Sequence, residues 1–306
     1  MPWHLPGHLF LCPDISAEVT VLKDMITCPV KINLTLRVLS KREDGYHEII
    51  SLFWKKKGIE GLTIQPHDNE NIGDILDTQG MEIAGENILV RTLRWARARC
   101  PGIPPLKMLL KKEFPAGSGI GAGSGNAAAL LQWLECRYML DTSKGPYSEI
   151  GADVPFLAGK DDIAIVAGIG EKIAPAGQIE GLKWILGFPE WNSDTAAAYA
   201  ELDRSGKGAE ILRPEECIGE ALTISEKLKS KKTAGLLPND FLQVIAAKHP
   251  EYFIAFDIAE NSGALAWGLS GSGSALFMVF SENIALRSAK RALDRQEWII
   301  KTTELE

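Results

Sequence analysis

A chain of 306 residues, 45% of them hydrophobic, can bury a large core, and its length suggests two domains. Its net charge of -7 disfavours nucleic acid as the main partner. The longest charge-free stretch, residues 263–280, is broken by Gly268, Ser270, Gly271, Ser272, Gly273 and Ser274, so no membrane span is expected there.

Five cysteines (Cys12, Cys28, Cys100, Cys136, Cys217), odd in number and without a C-x-x-C pair, fit reduced thiols in a cytoplasm rather than disulfides or zinc. Residues 1–24 lack the basic region and cleavage site of a signal peptide and read as an N-terminal extension of unknown role. Strong patterning starts at Met25. Residues 30–38 alternate strictly, with Val30, Ile32, Leu34, Leu36 and Val38 on one face and Lys31, Asn33, Thr35 and Arg37 on the other, which predicts a half-buried strand. A turn over residues 41–45 leads past Tyr46 and His47 to a strand at 49–54. A short strand at 62–65, an amphipathic helix over 86–99 and a strand over 106–114 follow.

The next stretch, PAGSGIGAGSGNAAA, carries five glycines, Gly117, Gly119, Gly121, Gly123 and Gly125. So many glycines suit neither helix nor strand. Between a strand and the apolar helix predicted at 127–140, such a loop aims bare N–H groups and a helix dipole at one point, which suits phosphate oxygens. A P-loop is excluded because the nearest lysine, Lys112, precedes the run. Gly117, Gly119 and Ala122 match a dinucleotide fingerprint, but no second strand ending in an acidic residue follows. Pro115 as a stop and Asn126 as a helix cap argue against a flexible linker.

After a connection at 141–150, Pro155 biases Val154 away from the helical region and sets Asp153 on a stiff turn. A strand at 162–168 and a turn at 168–171 close the first half. The second half reads as a strand at 182–188, helices at 194–202, 215–228 and 241–248, and two strands around a small-residue loop at 270–274. A helix at 282–294 and a strand at 297–303 end an α+β pattern.

The segments VKINLTLRVLSKREDGYHEI, FPAGSGIGAGSGNAAALL, GADVPF and GLSGSGSALFMVF stand in the order of the three motifs of the GHMP kinase superfamily. From about Met25 to its end the chain resembles that family. The resemblance implies an α+β, two-domain fold: an N-terminal ATP-binding α/β domain over 25–178 with a left-handed βαβ unit, and a ferredoxin-like C-terminal domain over 179–306. It implies ATP and Mg²⁺ as cofactors and a small-molecule substrate, with no nucleic acid or membrane partner. DGYH, GADVPF and the later G-x-G-E point to members that phosphorylate the 2-hydroxyl of a cytidine-diphosphate-linked methylerythritol. Homoserine- or mevalonate-type kinases and a catalytically weakened nucleotide-binding relative are the alternatives.

By position, Asp153 matches the family's catalytic aspartate and Lys31 its catalytic lysine, roles that suit proton removal from a hydroxyl and charge balance at a phosphoryl group. The resemblance places ATP against Asn87, Pro115, Ala116, Gly117, Ser118, Gly119, Ile120, Gly121, Ala122, Gly123, Ser124, Gly125 and Asn126. It places the cytidine substrate against Asn33, Tyr46, His47 and Tyr199. Metal ligands are not assigned; magnesium is expected on ATP phosphates and water. Gly125 stands where relatives carry a second serine, so a hydroxyl that could help bind Mg²⁺ or phosphate is missing. The stretch from Asn126 to Asp153 is short, with Pro146 where helix is expected.

Overall fold

The computed structural model describes residues 23–67, 72–83, 85–140, 146–205 and 213–306. The expected N-terminal extension lies outside them apart from Lys23 and Asp24, and so does half of the 141–150 connection.

The first sheet is built on two long strands, β1 (Asp24–Lys41) and β2 (His47–Pro66), which pair antiparallel from Asp24↔Ile64 to Lys41↔His47. The opposite edge of β2 is shared: β4 (Leu106–Lys112) takes residues 61–66 and β5 (Ile163–Gly168) takes residues 49–54. β3 (Ile75–Gly80) lies parallel to β4, and β6 (Lys172–Pro175) closes the order β3-β4-β2-β5-β6. The two strands expected at 49–54 and 62–65 are therefore one. The lysines between them do not break the strand: Lys55 reaches the Gly159 carbonyl at 2.7 Å beside the Phe156 ring, and Lys56 crosses Trp54 to the Leu182 carbonyl at 2.7 Å. Their stems cover apolar surface while their ammonium groups find acceptors. β3 went unseen because ILDTQG is a short edge strand with little apolar alternation.

Helices α1 (Ile88–Arg97) and α2 (Ala122–Tyr138) cover one face of this sheet through Leu89, Leu93, Leu130 and Leu134, packed on Leu62, Ile64 and Met108. A one-turn helix α3 (Val154–Ala158) carries Phe156 and Leu157 into a smaller cluster. The other face packs against a second sheet, through Val30, Ile32, Leu34 and Trp54 on one side and Trp184, Leu186 and Phe277 on the other. Both faces of β1 are thus covered. Lys31, Asn33 and Thr35, expected on a solvent face, are at most 3% exposed.

The second sheet comprises β7 (Lys183–Pro189), β8 (Gly235–Leu236), β9 (Ala266–Leu269), β10 (Leu276–Phe280) and β11 (Ile299–Leu305), in the order β11-β7-β10-β9-β8. Without β8, that is the fourth-first-third-second antiparallel order of a ferredoxin-like sheet. Helices α4 (Thr195–Ser205), α5 (Pro214–Lys229), α6 (Leu242–Ala246), α7 (Glu251–Asn261) and α8 (Asn283–Leu293) connect and cover it. α7 is absent from the sequence expectation because exposed Phe253 and Ile254 stand beside buried Tyr252, Ala255 and Phe256, which blurs the helical period. No described helix is long and apolar enough to cross a membrane.

Candidate active site

β1 brings Lys31 and Asn33 to one face, two residues apart. Lys31 Nζ donates to Asn33 Oδ1 at 2.6 Å and to the Gly119 carbonyl at 3.0 Å, and lies 3.7 Å from Asp153 Oδ2. The Phe53 ring lies beneath it, 4.7 Å from ammonium to centroid. Asn33 is fixed in turn, its Nδ2 donating to Ser51 Oγ at 2.9 Å. Burial pushes the Lys31 pKa below the usual lysine value, and the charge of Asp153 opposes that shift. This ammonium is held in place by acceptors rather than by water.

Asp153 is the residue before α3, with helical angles (φ −83°, ψ −13°), and Pro155 sits in the first turn. The expectation that Pro155 would exclude Val154 from the helix is corrected. A proline in a first turn lacks only an N–H that would have no partner there, so the turn tolerates it. The Asp153 side chain keeps 27% exposure against 4% for Lys31, so it faces open space with a buried cation behind it.

The glycine run divides into two parts. Gly117, Gly119 and Gly121 have φ of 71°, 79° and 65°, and make the loop. Helix α2 then starts at Ala122, with Gly121 as its cap, five residues before the expected cap Asn126. Asn126 is instead buried inside the helix, with its Oδ1 lacking a protein partner. Gly123 and Gly125 are helical; Gly123 faces open space, whereas Gly125 lies where α2 comes close to β1, and a Cβ there would stand 1.8 Å from the Pro29 carbonyl oxygen. The small-residue loop at 270–274 turns the β9–β10 hairpin and also clamps the first loop. Ser270 Oγ donates to the Gly119 carbonyl at 3.0 Å and Ala275 N–H to the Ser118 carbonyl at 3.0 Å.

Two cavities meet here. One, of about 350 Å³, is lined by Asn87, by Pro115, Ala116, Gly117, Ser118, Gly119, Gly121, Ala122, Gly123 and Ser124, and by Asn126 and Asp153. The other, of about 600 Å³, is lined by Lys31, Asn33, Tyr46, His47, Asp153 and Tyr199 among others. Gly119 and Asp153 belong to both walls. Two residues of the expected ATP set are not brought there. Ile120 is buried in the core and gives its carbonyl to the Lys31 N–H at 2.9 Å, and Gly125 faces Pro29. Asn87 caps α1 through Oδ1 on the Leu89 N–H at 3.0 Å, which leaves its buried Nδ2 without a protein partner at the cavity wall.

At the far end of the larger cavity His47 stacks on Tyr199, ring centroids 5.0 Å apart, and its Nε2 lies 2.7 Å from Asp203 Oδ1. Tyr46 is 63% exposed beside them. A base stacking on that face of Tyr199 must therefore displace His47, since 5.0 Å leaves no room for a third ring. Burial, with Asp153 adding to it, pushes the Tyr199 phenol up to about 12, so it stays protonated. Sequence reasoning missed Phe53, Asp203, Phe241 and the Thr195–Ser272 hydroxyl pair (2.8 Å), all on this wall. None of them carries a spacing signal: Phe53 lies on β2, Thr195 and Asp203 eight residues apart on α4, Phe241 ahead of α6 and Ser272 in the β9–β10 turn.

Gly121→Val is expected to weaken ATP binding at least several-fold and to slow turnover. Its positive φ excludes a β-branched residue, and a Cβ there meets Asp153 Oδ2 and Leu157 at 3.2 Å. Gly123, which has no positive φ and open space around its Cβ position, acts only by occupying the cavity, so valine there is expected to spare Lys31 and Asp153. ATP titrations of the two folded variants separate these effects, and equal affinity to wild type at Gly121→Val would reduce the loop to a linker.

The family models for the GHMP kinases N terminal domain and the GHMP kinases C terminal match residues 87–168 and 216–300. A 4-diphosphocytidyl-2-C-methyl-D-erythritol kinase of Porphyromonas gingivalis is 33% identical over 274 residues, covering 87% of this chain and 95% of that protein. Its counterpart in Thermotoga maritima is 35% identical over 259 residues, covering 82% and 89%. A crystal structure of 4-(cytidine 5'-diphospho)-2C-methyl-D-erythritol kinase superposes with a TM-score of 0.72 at 25% identity, over 92% of this chain and 98% of that one. Leishmania major mevalonate kinase shares the fold (TM-score 0.62, 14% identity, 94% and 95% covered).

Proposed function

Because this chain belongs to the 4-diphosphocytidyl-2-C-methyl-D-erythritol kinase family, we propose that it transfers the γ-phosphoryl group of ATP to the 2-hydroxyl of 4-diphosphocytidyl-2-C-methyl-D-erythritol. The observation that carries this reading is the meeting of two cavities at Gly119 and Asp153. The smaller, glycine-lined cavity takes the ATP phosphates and the larger one the cytidine-linked alcohol. Asp153 accepts the hydroxyl proton as the new O–P bond forms and the bond to the β-phosphate oxygen breaks, releasing ADP. Lys31, 3.7 Å from that carboxylate, pairs with it and offsets charge on the phosphoryl group in flight. Asn33 and the Gly119 carbonyl hold the ammonium where both roles can be met.

Among the described residues no group of three His, Cys, Asp or Glu side chains could cage a metal. That suits Mg²⁺, which needs few protein ligands when phosphates and water supply the rest. Ser124, and Asn126 with its unpartnered Oδ1, would hold it, and it would neutralise phosphate charge. We divide the chain near residue 178, between β6 and β7, into the ATP-binding and C-terminal domains, and assign its work to the cytoplasm, where Cys28, Cys100 and Cys217 can stay thiols.

ADP release with the cytidine-linked alcohol, beside homoserine and mevalonate, tests the reading. Turnover confined to the first supports it; preference for either other alcohol overturns the substrate assignment. Tyr46→Ala is expected to raise the Michaelis constant for the cytidine substrate by about fivefold to tenfold, the loss of roughly 1 kcal/mol of ring contact, with little change for ATP. Equal losses for both substrates would make Tyr46 a support of the β1–β2 turn.

A further inference from the structure

The segment between β8 and α6 gives the larger cavity one side chain, Phe241, and it also ties the parts of the site together. β1, which carries Lys31 and Asn33, runs on to Leu36, whose N–H donates to the Pro238 carbonyl and whose carbonyl accepts from the Asp240 N–H, both at 3.0 Å. Asp240 fastens the same strand from its side chain, accepting from the Val38 N–H at 2.8 Å and from Arg37 Nη1 at 2.7 Å. Asn239 faces the other way. Its Nδ2 donates to the carbonyls of Leu269 and Gly271, both at 2.9 Å, and its Oδ1 accepts from the Phe241 N–H at 2.9 Å. At 8% exposure, every hydrogen of this amide is used inside the protein.

The two carbonyls that Asn239 holds flank Ser270, whose hydroxyl holds the Gly119 carbonyl, which in turn accepts from Lys31 Nζ. Ser118 Oγ on the Pro115 carbonyl at 2.9 Å and buried Ile120 anchor the loop from within, but its three glycines at positive φ have no side chains to fix them, so their placement leans on what grips the loop's carbonyls. We propose that Asn239 is a positioning residue for ATP: it sets the 269–271 backbone so that Ser270 and Ala275 present the glycine loop already shaped for phosphates. A preorganised loop loses less entropy on binding, and an asparagine with both N–H groups committed to backbone carbonyls is the side chain that does this. The inference rests on the reading of residues 115–121 as the ATP loop.

Calorimetric titration with MgATP, without the acceptor alcohol, tests it on wild type, Asn239→Ala, Asn239→Asp, Ser270→Ala and the Asn239→Ala/Ser270→Ala double variant, with thermal unfolding run in parallel. Each single variant is expected to weaken ATP binding by roughly fivefold, aspartate acting like alanine because it cannot donate. The double variant is expected to lose no more than the worse single one, since both act on one loop. A lowered melting temperature with wild-type affinity in the folded singles, or losses that multiply in the double, overturns the proposal. Should Asn239→Ala fail to fold, Ser270→Ala and Asn239→Asp decide it alone. Wild type that binds ATP yet leaves the cytidine-linked alcohol untouched overturns the substrate reading and not this one.

Discussion

Asp153→Asn is expected to cut turnover by roughly 10²-fold or more while ATP still binds. Asparagine keeps the size and the place ahead of α3, and the neighbouring Lys31 keeps two of its acceptors, Asn33 Oδ1 and the Gly119 carbonyl, so the ATP side of the site should survive. What disappears is the base. Lys31→Met is expected to slow phosphoryl transfer as well, since it removes a buried ammonium beside Asp153 and leaves that carboxylate without its partner. Combined, the two changes should cost less than the product of their separate effects, because both act on one proton and one phosphoryl group. Burial lowers the Lys31 pKa, so the ammonium is complete at low pH and is lost as pH rises through that depressed value. Wild-type turnover is therefore expected to fall on the alkaline side earlier than an ordinary lysine would dictate. Single-turnover phosphorylation by the four proteins, with folding checked by thermal melts, reads all of this. Near-wild-type turnover in Asp153→Asn would leave Asp153 as a turn residue ahead of a proline.

How much of this was legible depends on the kind of signal each residue sends. The glycine loop could be read because glycine and proline change the local backbone, and a strand before it and a helix after it carry periodicity of their own. The burial of Lys31 could not. Strict alternation in β1 reports a strand, and is silent about what covers its polar face; here the glycine loop, Asp153 and Phe53 close over it, and Lys31 and Asn33 sit 3% exposed. Their residue types, read alone, favoured solvent. The pairing of Lys31 with Asp153 came from motif resemblance, since nothing in the local sequence brings a β1 lysine to the head of α3. Asn239 sent no signal at all. Its importance lies in three backbone partners, Leu269, Gly271 and Phe241, and backbone partners are contributed by any sequence. The start of α2 was misplaced for a similar reason: glycines inside a helix lower its propensity, and the close approach to Pro29 that calls for glycine at 125 is visible only in the structure.

Gly125→Ser is expected to destabilise the protein by about 3 kcal/mol and to lower the activity that remains. Motif resemblance alone suggests the opposite, that a serine here restores a hydroxyl useful to phosphate or Mg²⁺. The geometry decides between the two. Gly125 lies on the side of α2 that meets β1, where a Cβ would stand 1.8 Å from the Pro29 carbonyl oxygen and 2.9 Å from its carbon. Both neighbours are backbone of β1, where Pro29 pairs with Lys57 of β2, so neither can swing aside as a side chain would. To admit serine, α2 must move off β1, and that movement displaces Gly121 from Lys31 and Asp153. Gly123→Ala is the matched control: it is helical, with nothing within 4 Å of its Cβ position, so alanine there should gain roughly 0.5–1 kcal/mol from helix propensity. Thermal unfolding of both variants beside wild type makes the comparison, and an ATP titration of each completes it. A Gly125→Ser protein that melts no lower and binds ATP more tightly would show that the hydroxyl, and not the close approach, is what position 125 is about.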